Sequence, residues 1–406
     1  MSKKVLTLLV LFTLLVSLAP ATIAQEEQRW DGADDLPVNP LPCPVAEGAA
    51  EATEEAAGPT MSEEELRAAA LEAYDGGQPV NPPDLAGQEI VVRDVPKLIG
   101  IGYFTATTRG MQEAADELGN VDFATDGPTE ANIDDQITFL DNFITAGVDG
   151  LLFAANDPVA IGPVLQRALE QGIHVVGYDA NSVPEAREWF VNQASFNGIA
   201  KTLIDSMVAE IGEDGSFAIV TSTFTTPNQA RWIAEMWAYA QQCYPDLTWL
   251  ETTESQEDQQ LAFSQAQTLI NKYGEELDGL FGMTSVATPG SADAVSQAGL
   301  CAVDASEEFA APDEESAVHV VGLSTPNQMR PFVESGCVKS VVLWNPVDLG
   351  YAAIYVMRQI VDGNFAPGDL YVEAGRLGQL PVVNGSEILL GPPFVYTAEN
   401  IADFDF

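Results

Sequence analysis

From Glu89 onward the chain alternates short apolar runs with longer stretches in which apolar positions recur every three or four residues. The runs read as buried strands and the longer stretches as amphipathic helices. Strands are predicted at 90–95, 121–124, 150–154 and 173–178, with helices at about 104–119, 134–147 and 157–171 between them. Such alternation predicts a parallel sheet covered on both faces. A second series places strands near 217–221, 247–251, 280–282, 318–323 and 338–343, and helices at about 196–212, 228–243, 257–272, 287–298 and 326–335. A last helix, about 347–362, leads into an irregular tail with β character that runs to Phe406. One phrase occurs in both series: His174-Val-Val-Gly-Tyr-Asp179 returns about 145 residues later as His319-Val-Val-Gly-Leu-Ser324. That spacing is too long for a solenoid repeat and predicts two α/β lobes of similar topology with a cleft between them.

The residues before Glu89 follow other rules. Lys3 and Lys4, an apolar run to about Leu18 and a small-residue ending at Ala24 read as a secretory signal peptide over 1–24. Its apolar core is short for a bilayer span. Residues 25–88 are rich in Glu, Ala and Pro and offer little to bury, so they read as an acidic leader or tether. One helix is predicted inside it, opened by the capping box Ser62-Glu63-Glu64-Glu65. The acidic stretch 305–316 reads as an exposed loop before a core strand.

Sixty-one acidic residues against 16 basic ones give a formal charge of −45, which excludes a nucleic-acid or anionic-membrane partner because no basic stripe exists to displace counterions. Beyond the signal peptide the lysines are Lys97, Lys201, Lys272 and Lys339, so a lysine in a sheltered place stands out. Cys43, Cys243, Cys301 and Cys337 are too few and too scattered for a disulfide-dependent scaffold or a zinc site. Cys301 and Cys337 fall at the same end of one predicted sheet, where a single bridge is compatible with the geometry.

In open parallel sheets ligands gather beyond the carboxyl ends of the strands. Those positions hold Lys97 after the first strand, Asp179 after the fourth, Asn228 and Gln229 after 217–221, Met283-Thr284-Ser285 after 280–282, and Trp344-Asn345 after the last. Planar amides and carboxylates can bridge neighbouring hydroxyls, while Phe104 and Trp344 can cover C–H faces, a mixture suited to a small polyhydroxylated ligand. Each residue also has a plain structural reading: Asp179 as a turn residue, Asn228 as a helix cap, Lys97 as a surface residue, Trp344 as hinge or core packing. Catalytic patterns are weak. The two histidines, His174 and His319, sit in strands as core or sheet-end residues, and Gly100-x-Gly102 lacks the third glycine of a dinucleotide fingerprint, with Thr105 in its place. No cofactor or metal is expected.

Several stretches resemble the type I periplasmic substrate-binding proteins of ABC transporters, in the ribose-type branch that includes autoinducer-2-binding and rhamnose-binding proteins. They are Pro96-Lys97-Leu98-Ile99-Gly100-Ile101-Gly102-Tyr103-Phe104, Asp126-Gly127-Pro128-Thr129-Glu130, Asn192-Gln193, the run Gly322 to Pro331, and the closing Asp403-Phe404-Asp405-Phe406. The resemblance covers about residues 89–406 and implies two Rossmann-like lobes with parallel sheets joined by three hinge crossings, near 193–194, 344–345 and 367–368. The lobes implied are 89–193 with 345–366, and 194–344 with 367–406. In the autoinducer-2 branch the ligand is held by a Lys, an Asp, an Asp-Gln pair and a Pro-x-Ala loop. Lys97, Asp179 and Gln229 match that pattern, whereas Asn228 stands for the second Asp, and Met283 and Ser285 for the Pro and Ala. The resemblance implies a monomeric, extracytoplasmic receptor that hands a sugar-like ligand to an ABC permease. A secreted sugar-acting enzyme or a ligand-sensing partner of a chemoreceptor is the alternative.

Overall fold

The computed structural model describes residues 29–44, 61–301 and 317–406. The expected signal peptide and the acidic loop at 305–316 lie outside the described residues. In the first sheet β1 (Ile90–Val95), β2 (Val121–Thr125), β3 (Gly150–Phe153), β4 (His174–Tyr178) and β5 (Trp189–Asn192) run parallel in the order β2-β1-β3-β4-β5. The second sheet repeats this with β6 (Ser216–Thr221), β7 (Thr248–Glu254), β8 (Gly279–Gly282) and β9 (His319–Gly322) in the order β7-β6-β8-β9. A parallel bridge from Leu323 to Val342 attaches β10 (Ser340–Leu343) beside β9. The two His-Val-Val-Gly phrases therefore form the fourth strand of each lobe, and the predicted duplication is structural.

In the first lobe the helices are α1 (Glu63–Ala73), α2 (Gly102–Leu118), α3 (Ile133–Ala146) and α4 (Gly162–Glu170). In the second they are α5 (Phe196–Ile211), α6 (Pro227–Cys243), α7 (Gln259–Tyr273), α8 (Ala287–Ala298) and α9 (Pro326–Glu334). The last helix, α10 (Pro346–Val361), returns to the first lobe and packs against α2. Two glycines permit that approach: a Cβ on Gly110 would lie 1.8 Å from the carbonyl oxygen of Val347, and one on Gly350 would lie 2.0 Å from that of Thr107. Any side chain at either place would push the helices apart. Among the described residues no helix is long and apolar enough to cross a membrane.

The structure departs from the sequence reading in four places. Four-residue β5 escaped notice because its apolar run is too short to stand out beside the preceding turn. The tail does not pass to the second lobe at 367. Strands β11 (Tyr371–Glu373), β12 (Gln379–Val383) and β13 (Glu387–Leu389) extend the first sheet instead, with β13 covering the free edge of β5 and Ile388 fully buried there. Of the tail strands only β14 (Phe394–Thr397) joins the second lobe, antiparallel to β10, and residues 401–406 follow it onto α9, where the amide of Asn327 donates to the carbonyl of Phe406 at 3.0 Å.

The leader is also more than a tether. Residues 29–44 lie on the second lobe, where Trp30 stacks on Phe224 at 5.3 Å and the Arg29 guanidinium sits over the rings of Trp237 and Trp249. Residues 61–88 lie on the first lobe: α1 carries the predicted capping box, the Tyr74 hydroxyl donates to the carbonyl of Glu188, and Arg358 donates to the carbonyls of Leu85 and Gln88. A few aromatic contacts and backbone hydrogen bonds do the anchoring, and neither produces a periodic apolar pattern. Finally, two disulfides form. Cys301 and Cys337 are bridged, and so are Cys43 and Cys243, which fixes the first anchored segment to α6.

Candidate functional site

The carboxyl ends of both sheets face each other across the lobe boundary. From the first lobe, β1 leads to Lys97, the first turns of α2 supply Tyr103 and Phe104, and β4 ends at Asp179. From the second, α6 brings Asn228, Gln229 and Trp232, the turn after β7 brings Glu257, and the turn after β8 brings Met283, Thr284 and Ser285. Trp344 closes one side from the end of β10. Together they line a small cavity with about 30 Å³ of free space between the lobes, room for little more than a water molecule.

The polar groups form one network across the lobes. Lys97 Nζ lies 3.3 Å from Asp179 Oδ2 and donates to Asn228 Oδ1 at 3.3 Å. The Tyr103 hydroxyl donates to Asp179 Oδ1 at 2.9 Å and accepts from Trp344 Nε1 at 2.9 Å. Burial, reinforced by the Asp179 charge, raises the Tyr103 phenol well above its ordinary range, so it remains a donor. Gln229 is held by its carbonyl, which accepts from Thr221 Oγ1 and from the amide of Ser222, and its Nε2 donates to Glu257 Oε1 at 3.2 Å. Asp179 has φ +58°, in the left-handed region that Asp tolerates better than most L-residues. Apolar surface comes from Phe104, Met283, Trp232 and Trp344, whose indoles lie 5.6 Å apart.

Eight of the nine sequence-predicted residues meet here: Lys97, Phe104, Asp179, Asn228, Gln229, Met283, Ser285 and Trp344. The surface reading of Lys97 fails, since its side chain is 3% exposed. Asn228 is not a helix cap either, because Thr226 occupies that place and Asn228 follows Pro227 inside α6. Asn345 is the correction. Its Oδ1 accepts from the amides of Val347 and Asp348 as the N-cap of α10, and it lies outside the cavity lining. A strand end calls for a cap as readily as for a ligand group, and here capping won.

Tyr103, Trp232 and Glu257 were not foreseen, whereas Thr284 stands in the strand-end run 283–285. Tyr103 stood in a quoted motif and could have been found by its place in the first turn of α2. Trp232 lies one helical turn after Asn228, on the same face of α6. Glu257 was hidden among so many acids that no single carboxylate could be singled out. The histidines lie at the start of their strands, away from the cavity, with His174 Nδ1 3.0 Å from Glu188 and His319 Nδ1 2.9 Å from Glu210.

A periplasmic binding protein domain matches residues 95–365, well over half of the chain. The protein belongs to this family. As a type I periplasmic binding protein it is a solute-binding protein and not an enzyme. Among solved structures it is similar to a sugar ABC transporter protein from Actinomyces odontolyticus, at 29% identity over 80% of this chain and 100% of that one, with a TM-score of 0.61. It is also similar to an ABC transporter solute-binding protein from Clostridium phytofermentas with bound L-rhamnose, at 26% identity, 78% and 98% coverage and TM-score 0.70. LsrB from Clostridium saccharobutylicum in complex with AI-2 shares the fold at TM-score 0.70 and 20% identity, covering 78% of this chain and 100% of that one.

Proposed function

We propose that this binding protein works outside the cytoplasm as the monomeric receptor of an ABC importer, closing its two lobes around a small neutral sugar and presenting it to a membrane permease. The interlobe network of Lys97, Asp179 and Asn228 carries the reading, because it gathers charge-assisted hydrogen-bonding groups from both lobes around one small cavity. Hydroxyls of a bound sugar would take over these contacts, with Asp179 and Glu257 as acceptors, Lys97 as donor, and Phe104 and Trp344 against the C–H faces. Burial between the lobes excludes water, so each ligand hydroxyl left without a partner is costly and configuration is read by placement. Rotation of the lobes about the connecting strands is the standard motion of such receptors.

Isothermal titration of the mature protein tests this with pentoses, hexoses, 6-deoxyhexoses and autoinducer-2, followed by NMR of the mixture. Saturable micromolar or tighter binding of one member with no product is the expected outcome. Failure of every member to bind contradicts a sugar ligand, and turnover contradicts the receptor reading.

A further inference from the structure

Glu257 is a buried carboxylate held in an unusual way. It is 7% exposed, and Glu257 and the preceding Gln256 have φ +56° and +52°, two consecutive non-glycine residues in the left-handed region. Backbone bonds hold the turn there: Ser255 donates to the carbonyl of Thr221 at 2.7 Å, Gln256 to that of Ser222 at 2.9 Å, and Asp258 to that of Ser255 at 2.9 Å. Such conformations disfavour ordinary side chains and persist where the surrounding structure holds them. This turn follows β7, as Asn228 and Gln229 follow β6 and Met283 follows β8, so Glu257 enters the same cavity from its own strand end.

Its hydrogen bonding is incomplete. Oε1 accepts from Gln229 Nε2 at 3.2 Å, and Lys97 Nζ stands off at 3.9 Å. Asp179, by contrast, has Tyr103 at 2.9 Å, Lys97 at 3.3 Å and Asn228 at 3.5 Å. A carboxylate this buried with one good donor has capacity left for hydroxyl donors from a ligand. Lys97 is the one cation among the cavity-lining residues, set against Asp179 and Glu257, so the lining carries one excess negative charge.

We propose that Glu257 is a specificity-determining ligand residue that supplies the second carboxylate of the cleft, the one that Asn228 does not provide, and that takes neighbouring hydroxyls of a neutral sugar while turning away sugars bearing an acid group. The inference rests on the sugar reading above. A ligand carboxylate in this cavity would face two protein carboxylates across one ammonium with little water between them, and that repulsion is expensive. A neutral diol donates to Glu257 and leaves the charge arrangement untouched.

The test uses the full mature chain, wild type, Glu257→Gln and Glu257→Asp, titrated calorimetrically with the neutral panel and with the matching uronic acids, such as D-galactose against D-galacturonate. Glutamine already holds the same conformation at position 256, so the Gln variant preserves the turn; circular dichroism checks it, and the Asp variant retains the charge on a shorter stem. Wild type should prefer the neutral sugar to its acid by about 100-fold or more, and Glu257→Gln should bind the neutral sugar about tenfold more weakly while the preference narrows. Glu257→Asp should keep the preference and lose affinity. Unchanged affinity and preference in Glu257→Gln, with wild type binding normally, overturns the role of Glu257 alone. Stronger wild-type binding of the acid overturns the charge argument. No binding by wild type to any neutral member removes the sugar reading and this inference with it.

Discussion

The two lobes share a sheet order and a four-residue phrase in their fourth strands, yet the residue two positions beyond that phrase does opposite work. In the first lobe it is Asp179, held at φ +58° and joined to Tyr103, Lys97 and Asn228 across the cavity. In the second it is Ser324, fully buried, whose hydroxyl donates to the carbonyl of Ser285 and so braces the neighbouring turn. One lobe spends this position on the cleft and the other on its own framework. The duplicated fold thus fixes where a side chain can reach the cleft, and the local residue decides whether it does.

Replacing Asp179 by Ala should break this asymmetry most severely. It strips Tyr103 and Lys97 of their shared acceptor and leaves ligand hydroxyls unpaired in a closed site, so affinity should fall about 100-fold, close to 3 kcal/mol. Calorimetric titration checks this; wild-type affinity would return Asp179 to the role of a turn residue. Lys97→Met comes next. With the ammonium gone Asp179 and Glu257 lose their common cation, and the dissociation constant should rise at least about tenfold while the circular dichroism spectrum stays native. An unchanged constant would remove Lys97 from binding.

A second difference lies inside the sheets. The first buries Asp94 in β1, where desolvation pushes its carboxyl up to about 7 despite a hydrogen bond from Thr125, whereas the matching strand Ser216–Thr221 of the second sheet carries no carboxylate. The folded chain therefore holds a proton that the unfolded chain releases near the ordinary value of 3.8. Stability from this group is greatest at low pH, falls as pH rises above that value, and is lost beyond about 7. Urea unfolding of wild type and Asp94→Asn from about pH 5 to about pH 8 should show a wild-type decline steeper by about 2 kcal/mol. Parallel pH profiles would contradict the buried-acid assignment. Smallest of all, Ser324→Ala should cost about 1 kcal/mol of stability in the same assay and shift affinity less than about threefold.

Legibility in the sequence followed the same division. Strand ends were readable because apolar runs in parallel sheets are nearly continuous, and reading past each run located Lys97, Asp179, Asn228, Gln229, Met283, Ser285 and Trp344. Asn345 occupied an equally good address and proved to be a cap, since amide side chains serve both purposes. Glu257 was out of reach for two reasons: it is one acid among 61, and its orientation depends on a left-handed turn that residue types other than glycine seldom announce. Cys43 could not be paired in advance because its partner lies 200 positions away on a helix that the leader was not expected to touch. The addition of β11–β13 to the first sheet was equally invisible, since short edge strands carry little apolar pattern of their own.

The most direct measurement is a crystal structure of the mature protein with the tightest-binding sugar of the panel. One sugar should be enclosed between the lobes, hydrogen-bonded to Lys97 and Asp179 on one side and to at least one of Asn228, Gln229 and Glu257 on the other. A sugar bound elsewhere, or held by one lobe alone, would contradict this arrangement.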